Sequence, residues 1–447
     1  MKLSILLSIS SAFAVVKASL PAYAQCGGVN WSGDSSCASG FYCLKQNEWY
    51  SQCVPGASMF LRLIYHVCLT KCHLATVTAK PTTTTSGSPV PTTPVPPATS
   101  ITSFAKADGN VFNINGKSQY FMGTNSYWIG FFTSNSDVDL VFSHLASTGL
   151  KVLRVWGFND VNTIPGAGTV WFQSFVQGSA PTINTGPEGL QRLDYVVESA
   201  GKHGLSLIIN FVNNWADYGG IPAYNKYYGL SSTNRTEWYA SAAAQSQYQK
   251  YISTVVARYK NSPTVFAWEL ANEPRCNGCP TSVLTNWIKT TSAYIKSLDS
   301  KHMVTTGDEG FGIAGGTSYP WGPGEGIDWV ENLKISTIDF GTAHLYPESW
   351  GEQDSFGKPW IDAHAAAAKA LGKPFILEEY GSSTKPSILT WEQAVLDSGT
   401  AGDMYWQYGD SFSWGQTHND GNSIYYGTDM YKTYVQDHAA AMAAKAV

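Results

Sequence analysis

The chain has 447 residues, of which 43% are hydrophobic and 14% are charged, and its formal net charge is -5 at neutral pH. This length accommodates one large domain together with smaller pieces. The near-neutral charge balance argues against a nucleic acid as partner.

The N-terminus is typical of a secretory signal. The apolar residues 3–16 follow a lysine and are too short to span a bilayer. Small residues favour a signal of residues 1–18, and cleavage after Ala24 is the alternative. Sequons begin at Asn30 and Asn234 and are compatible with export and glycosylation. Since no later stretch reaches the length of a membrane helix, we expect a secreted, extracellular protein without a membrane partner.

Four cysteines, Cys26, Cys37, Cys43 and Cys53, fall within 28 residues among glycines and aromatics. In an exported chain this density predicts a small domain held by disulfides. Spacing alone leaves three pairings open. A zinc site is the competing interpretation, but this stretch has no Cys-x-x-Cys pair and no interleaved histidine.

The segments Gln-Cys-Gly-Gly from position 25, Trp-Ser-Gly from 31, Cys-Ala-Ser-Gly from 37 and Trp-Tyr-Ser-Gln-Cys from 49 are the motifs of this region. Residues 19–56 thereby resemble the fungal carbohydrate-binding module of family 1. The resemblance implies a small β-sheet module with disulfides Cys26–Cys43 and Cys37–Cys53. It also implies a flat face for crystalline cellulose formed by Tyr23, Trp49 and Tyr50, assisted by Asn47 and Gln52. Cleavage after Ala24 would remove Tyr23, which favours cleavage after Ala18.

Two segments follow the module. Residues 81–103 are almost wholly Pro, Thr, Ser, Val and Ala, a composition that predicts an extended, O-glycosylated linker. Residues 57–80 are apolar and basic and do not match the family pattern. A retained intron or a mispredicted splice explains them best, and a short amphipathic membrane or partner helix ranks lower. Cys68 and Cys72 within this segment can pair locally or stay free.

Residues 104–447 alternate apolar runs with amphipathic segments. The apolar runs predict strands at 120–125, 151–157, 205–213, 264–272, 303–307, 339–345, 374–379 and 403–407. Apolar positions at helical spacing predict helices at 137–147, 190–202, 238–259, 282–298 and 361–371. Eight such repeats predict an α/β fold, a (β/α)8 TIM barrel. An open doubly wound sheet is the alternative, but no Gly-x-Gly-x-x-Gly turn follows the first strand.

Two of the predicted strands end in glutamates. Glu273 follows the fourth and Glu379 ends the seventh, so a barrel directs both into one mouth. Glycosidic bond cleavage uses such a carboxyl pair, about 5–5.5 Å apart for retention and about 6.5–9.5 Å apart for inversion. Glu269 is predicted to lie mid-strand as a structural carboxylate. Glu378 adjoins Glu379, so only one of these two is expected to face the interior.

The chain carries, in order, Arg154, Asn272-Glu273-Pro274, His344-Leu345-Tyr346, Glu379-Tyr380-Gly381 and Trp406. Over residues 105–440 this pattern resembles glycoside hydrolase family 5. The resemblance implies that Glu273 is the general acid/base and Glu379 the nucleophile of a retaining double displacement.

Further roles follow from what the two glutamates need. Arg154 would lower the pKa of Glu379, and Tyr346 would donate a hydrogen bond to it. Asn272 would hold the sugar 2-hydroxyl, His344 would line the site and Trp406 would form a stacking floor. Structural ion pairing of Arg154 is the alternative. The pKa of Glu273 is expected to exceed that of Glu379, because Glu273 acts in its protonated form.

Within the family, the segment Trp-Glu-Leu-Ala-Asn-Glu-Pro-Arg-Cys and the opening Gly-Thr-Asn-Ser-Tyr-Trp resemble fungal and plant endo-β-1,4-mannanases. This resemblance implies sugar contacts by Trp128, Trp215, Arg275 and Glu309, the last two on the leaving-group side. Arg275 as an exposed loop cation is the alternative. Cys276 and Cys279 are expected to form a loop disulfide rather than a redox motif.

Together these features predict a secreted, monomeric endo-β-1,4-mannanase acting on mannan, glucomannan and galactomannan, with cellulose as a second partner through the module. No metal or organic cofactor is expected, because no ligand cluster or phosphate-binding loop is visible in the sequence. The alternatives are an endo-β-1,4-glucanase of the same family and a non-catalytic wall-binding protein.

Overall fold

The computed structural model describes residues 25–27, 33, 35–39, 41–45, 51–55, 100–313 and 318–447. These residues belong to two compact units, Met1–Pro91 and Thr92–Val447, which we describe separately. Within the described ranges, no helix combines the length and apolar character needed to cross a membrane.

The first unit contains a three-stranded antiparallel sheet. Its strands are Gln25–Gly27, Phe41–Lys45 and Ser51–Pro55, with Ser51–Pro55 in the centre. A disulfide joins Cys26 to Cys43, as predicted, and Cys37 is also disulfide-bonded. The side chains of Cys53 and of the predicted cellulose face lie outside the described residues; that face comprises Tyr23, Asn47, Trp49, Tyr50 and Gln52.

The second unit is built on eight parallel strands. They are β1 (Phe121–Asn125), β2 (Val152–Trp156), β3 (Ser206–Asn210), β4 (Val265–Glu269), β5 (Met303–Thr305), β6 (Gly341–Leu345), β7 (Phe375–Tyr380) and β8 (Gly402–Tyr405). Ladder hydrogen bonds connect them in the order β5-β4-β3-β2-β1-β8-β7-β6. Individual hydrogen bonds join β5 to the segment that leads into β6, such as Asp339 N to Val304 O at 2.9 Å. The predicted (β/α)8 barrel is confirmed, and each predicted strand is present.

Helices follow the barrel strands. They are α1 (Asn135–Thr148), α2 (Leu190–Lys202), α3 (Gly220–Tyr228), α4 (Arg235–Ala240), α5 (Ala242–Tyr259), α6 (Ser282–Leu298), α7 (Trp329–Lys334), α8 (Pro347–Trp350), α9 (Gly357–Ala370), α10 (Pro386–Ser398), α11 (Asp429–Tyr431) and α12 (Asp437–Ala444). The single helix predicted over 238–259 is wrong, because Ser241 interrupts it. The Ser241 backbone is extended and its hydroxyl caps α5 by accepting from Ala244 N.

Short strands outside the eight-stranded sheet lie at the two ends of the barrel. They are Lys106–Asp108, Val111–Ile114, Lys117–Gln119, Asp160–Val161, Gln173–Ser174, Thr182–Ile183, Tyr408–Gly409, Ser411–Phe412, Gly415–Gln416 and Ile424–Tyr425. The first three form an antiparallel sheet. It places Phe112 in an aromatic cluster with Phe121 and Phe266, at ring distances of 5.8 and 5.0 Å. Because Phe121 and Phe266 stand at the beginnings of β1 and β4, this sheet closes the barrel at the end opposite the carboxyl ends of the strands.

Replacing Phe112 with alanine is expected to lower the free energy of unfolding by about 3–5 kcal/mol, since the fully buried ring leaves a cavity that the rigid barrel cannot fill. Urea denaturation followed by tryptophan fluorescence measures the effect. Ile164→Ala, at a side chain that is 53% exposed, is the control and should change stability by less than about 0.5 kcal/mol. A loss below about 1 kcal/mol for Phe112→Ala would show that the sheet does not close a packed core.

Candidate active site

A fully buried arginine organises the carboxyl end of the barrel. Arg154, on β2, forms a bidentate pair with Glu269, with Nε to Oε2 at 2.8 Å and Nη2 to Oε1 at 2.7 Å. Its Nη2 also donates to Asn272 Oδ1 at 2.7 Å, and its Nη1 donates to Glu379 Oε1. Glu269 ends β4 instead of lying mid-strand. Because both of its oxygens are bound to the guanidinium, Glu269 acts as a structural anchor that orients Arg154.

Glu379 lies in β7 and is only 4% exposed. Besides Arg154, the phenol of Tyr346 donates a hydrogen bond to its Oε2 at 2.8 Å. Two charged or polar donors therefore point at this carboxylate. Donors in this arrangement stabilise the ionised form.

Glu378 corrects one sequence prediction, because it also faces the interior. Its Oε2 lies 3.7 Å from Arg154 Nε and 3.5 Å from His344 Nε2. The physical reason is a register shift between β6 and β7, where Ala343 pairs with Leu377 but His344 pairs with Glu379. A shift of this kind breaks the alternation of side chains across a strand. Burial and the charge of Glu269 raise the pKa of Glu378 to about 7.

Glu273 lies four residues beyond the end of β4, in a left-handed backbone conformation with φ of 52°. Such a conformation is uncommon for a non-glycine residue and persists where surrounding contacts hold it. Here Glu273 N donates to Gly307 O at 2.9 Å. The side chain accepts from Trp215 Nε1 at Oε2, and His344 Nδ1 lies 2.7 Å from Oε1. The carboxyl group is thus directed into the barrel mouth by contacts on both oxygens.

The two glutamates converge. One carboxylate oxygen each from Glu273 and Glu379 and one ring nitrogen of His344 all lie within 4.8 Å of one another. Such a spacing could also accommodate a metal ion. However, N–H and O–H donors from Arg154, Tyr346 and Trp215 already point at the carboxylates. Donors of this kind suit hydrogen-bonded carboxylates that take part in proton transfer.

The order of the two pKa values reverses the sequence prediction. Burial raises the pKa of Glu379, and the neighbouring charge of Glu273 adds to this, so that it lies above its usual value despite His344 and Arg154. Burial also acts to raise the pKa of Glu273. The hydrogen bond and charge of His344, together with Arg275 and Trp215, outweigh it and lower that pKa to about 2.

The expectation that Glu273 has the higher pKa is therefore wrong for this structure, and the physical reason is His344. Burial alone would lower the pKa of this imidazole. The charge of Glu379 and the hydrogen bonds to Glu273 and Glu378 instead raise it well above its usual value. A proton on His344 thus lies one hydrogen bond away from Glu273.

Arg275 and the buried Glu309 form a second ion pair beside Glu273. Arg275 Nη2 donates to Glu309 Oε1 at 2.6 Å, and the arginine side chain is 16% exposed. Its guanidinium lies 5.1 Å from the Trp215 ring centroid. Burial and the charge of Glu273 raise the pKa of Glu309 to about 8, although Arg275 opposes the shift. Arg275 is therefore not an exposed loop cation, and the neighbouring Cys276–Cys279 disulfide is confirmed.

Trp406 follows β8 and lines the cleft. Its indole donates to Asp420 Oδ2 at 2.6 Å and stacks on Tyr127 with ring centroids 5.5 Å apart and planes 8° apart. The prediction for Trp128 needs correction, because this ring is 7% exposed and belongs to the hydrophobic core. It enters a short helical turn that directs its ring inward against Phe132. Tyr127, one residue earlier, stacks on Trp406 and supports that ring from behind.

An open cleft of about 480 Å³ brings together most of the predicted residues. Those that line it are Asn272, Glu273, Glu379, Tyr346, Trp406, Trp215, Arg275 and Glu309. Sequence analysis missed further lining residues, namely Trp156, Asn213, Asp217, Tyr319, Ser349, Trp350 and Asn422. The place of Trp156 at the end of β2 could have identified it. Tyr319 and Asn422 come from long loops, where no periodicity indicates what a side chain faces.

Known proteins share this sequence and fold. The family described as GH family 5 beta-mannosidase-like matches residues 102–408, and the fungal cellulose binding domain matches residues 22–50. Probable mannan endo-1,4-beta-mannosidase F of Emericella nidulans is 52% identical over 428 residues, which are 95% of each chain. Mannan endo-1,4-beta-mannosidase A of Aspergillus aculeatus is 58% identical over 77% of this chain and 92% of its own.

Among solved structures, the endo-1,4-beta-mannanase of Rhizomucor miehei is 39% identical, with a TM-score of 0.70. The match covers 76% of this chain and 99% of that one. The sequence matches extend over most of the catalytic unit, and the fold agrees with them. The chain therefore belongs to glycoside hydrolase family 5, among its β-mannosidase-like members.

Proposed function

We propose that the protein is an endo-β-1,4-mannanase that hydrolyses internal β-1,4-mannosidic bonds of mannan, glucomannan and galactomannan with retention of configuration. The observation that carries the proposal is the approach of Glu273 and Glu379 to within 4.8 Å across one cleft. An approach this close between single oxygens of the two carboxylates favours the roughly 5–5.5 Å carboxyl spacing of retaining enzymes over the about 6.5–9.5 Å that inversion needs to admit a water molecule. The names of the related proteins support mannan over the cellulose expected for a glucanase.

In the first step, a Glu379 oxygen attacks the anomeric carbon while Glu273 donates a proton to the glycosidic oxygen. The bond to the leaving sugar breaks, and a glycosyl ester forms on Glu379. Asn272, held by Arg154 at 2.7 Å, is placed to bind the sugar 2-hydroxyl. Trp406 supports the ring of the sugar from below.

In the second step, Glu273 takes a proton from water as that water attacks the ester, and Glu379 leaves as a carboxylate. The proton that Glu273 gains from water can return to His344, and Glu273 takes it back from the imidazole before the next cycle, since Nδ1 lies 2.7 Å from Oε1. Moving the proton across this bond gives a neutral imidazole and a protonated acid. His344 therefore serves as the proton store for the acid/base.

The pH dependence of Tyr346→Phe tests the nucleophile. Glu379 acts as a carboxylate, so kcat/KM falls as the pH drops through its pKa. The Tyr346 hydrogen bond lowers that pKa. Removing the hydroxyl raises it, and the acid limb of the profile should move to higher pH. Tyr227→Phe, whose hydroxyl binds the backbone of Ser179 instead, should leave the limb in place. An unchanged limb in Tyr346→Phe would argue against Glu379 as the group that must be ionised.

The N-terminal module adds a second proposed activity. Binding to cellulose through the family 1 module would hold the enzyme where mannan lies close to cellulose. Such tethering raises the local concentration without new contacts in the cleft. We propose a secreted, monomeric enzyme whose signal spans residues 1–18 and whose linker spans residues 81–103.

Hydrolysis of defined manno-oligosaccharides, with product anomers followed by NMR, tests substrate and stereochemistry together. The β-anomer should appear first and then mutarotate. Initial formation of the α-anomer would rule out retention. Faster release of reducing sugar from carboxymethylcellulose than from locust bean gum would instead identify a glucanase, and no release from either would favour a non-catalytic binding protein.

A further inference from the structure

The exposed aromatic side chains of the catalytic unit all lie on one rim. Among the residues described there, the large exposed rings are Trp215, Tyr218, Tyr319 and Trp414. Each belongs to a segment that follows the carboxyl end of a barrel strand. Trp215 and Tyr319 line the cleft already described. Trp414, which is 56% exposed, does not line it and has no role in the mechanism above.

Trp414 is held rigidly although it is exposed. It lies in a tight hairpin between Ser411–Phe412 and Gly415–Gln416. Its ring stacks on Phe412, with centroids 4.9 Å apart and planes 5° apart. Its Nε1 donates to Asp137 Oδ2 at 2.9 Å, at the first turn of α1. Because the ring is already ordered, a ligand that stacks on it pays little conformational entropy.

Ring contacts connect Trp414 to the catalytic floor. Trp414 and Phe412 both contact Phe132 edge to face, at 5.7 and 5.3 Å. The preceding residue, Phe131, stacks on Tyr218 at 4.7 Å. Tyr218 in turn contacts Tyr127 at 5.7 Å, and Tyr127 stacks on Trp406 at 5.5 Å. Two sets of ring contacts, one from the cleavage point and one from Trp414, therefore meet at the consecutive residues Phe131 and Phe132.

The places of Trp414 and Arg275 around the barrel indicate which end of a bound mannan chain would reach Trp414. In the strand order, β8 lies four strands from β4, which is diametrically opposite in a barrel of eight. Trp414 follows β8, whereas Arg275 follows β4 on the proposed leaving-group side. A chain that crosses the cleft from Arg275 leaves it on the side of Trp414. That part of the chain is the glycone, the portion retained on Glu379 after the first step.

We propose that Phe132, Phe412 and Trp414, the Trp414 platform, bind a distal glycone sugar of the mannan chain by ring stacking. The inference rests on the proposed function, because it extends the same cleft. Flat aromatic rings present an apolar face to sugar C–H groups, and an exposed rigid tryptophan is the strongest such face available. The platform would favour long chains over short ones.

Chain-length dependence tests the platform. Trp414→Ala should lower kcat/KM on soluble polymeric mannan by about fivefold to tenfold and leave kcat/KM on mannotriose unchanged, since a trisaccharide occupies only the central cleft. Trp414→Phe should retain most of the activity on polymer. Asp137→Ala, which removes the indole hydrogen bond, should give a smaller loss of the same kind. Leu389→Ala, at an exposed site on α10, is the control.

The outcomes separate the two proposals. If the wild-type protein did not hydrolyse mannan, that result would contradict the proposed function, and no variant would be needed. An active wild type with equal losses on polymer and trisaccharide, or no loss on polymer, would overturn the platform. Trp414→Leu provides a second variant that keeps apolar bulk without a ring face, and it should reproduce the Trp414→Ala loss at an unchanged Tm.

Discussion

Replacing Glu379 with alanine is expected to lower kcat on soluble mannan by a factor on the order of 10⁴ to 10⁶, as for other enzymes that lose a nucleophile. No other described carboxylate can take its place. Glu378 lies next to it, but it is fully buried, does not line the cleft, and its Oε2 lies 3.7 Å from Arg154 Nε and 3.5 Å from His344 Nε2. Glu269 is bound to Arg154 through both oxygens. The loss should therefore appear in kcat, with little change in substrate binding.

Azide distinguishes loss of the nucleophile from misfolding. A small anion can occupy the space vacated in Glu379→Ala, beside Arg154 and Tyr346, and attack the anomeric carbon directly. Since one displacement replaces two, an activated β-mannoside should give an α-mannosyl azide. Glu198→Gln, at an exposed glutamate paired with Lys202 on α2, is the control and should keep full activity. Residual mannan hydrolysis above about 1% of wild type in Glu379→Ala would contradict the assignment.

Replacing Glu273 with alanine is expected to lower kcat on mannan by about 10² to 10⁴, the usual contribution of general acid/base catalysis. The size of the effect should depend on the leaving group. The dinitrophenolate of a dinitrophenyl mannoside leaves without protonation, so the mannosyl group can still be transferred to Glu379 at a substantial rate. Hydrolysis of the intermediate then becomes rate-limiting because no base activates water. A burst of dinitrophenol followed by slow turnover is the expected time course.

With Glu273→Ala, azide should give a product of the opposite anomeric configuration to the one expected from Glu379→Ala. It needs no general base, so it should accelerate turnover of the glycosyl ester on Glu379 and yield a β-mannosyl azide after two displacements. The β product here and the α product from Glu379→Ala together assign the two roles. If the configurations were interchanged, the roles of the two glutamates would be exchanged too. An equal loss on natural and activated substrates would contradict acid catalysis by Glu273.

His344 explains why the acid/base can work from a lowered pKa. His344 Nδ1 lies 2.7 Å from Glu273 Oε1, so in the proposed mechanism the pair, and not the carboxyl group alone, holds the catalytic proton. Sequence analysis placed His344 in the site without this role. The contact that creates it joins residues 71 positions apart in the chain.

Much of the fold was predictable because its patterns are local. Apolar runs bounded by polar residues identified all eight strands, and helical spacing gave α2 and α6 with their observed bounds. The positions of Glu273 and Glu379 at strand ends were enough to predict a shared cleft, since parallel strands in a barrel end on the same face. The break at Ser241 was missed because a single capping side chain, and not periodicity, decides it.

By itself, the sequence determined the barrel, the Cys276–Cys279 disulfide and the pair of carboxylates at the mouth of the barrel, whereas the Cys26–Cys43 pairing was implied by the resemblance to the family 1 module. Only the tertiary structure decided that Glu378 faces inward beside Glu379, that Trp128 is buried, and that His344 lowers the pKa of Glu273. The aromatic contacts around Trp414 and around Trp406 also depend on residues that are distant in sequence. Strand and helix patterns arise from neighbours in the chain, whereas register shifts, side-chain direction and proton affinity depend on contacts between residues far apart in sequence.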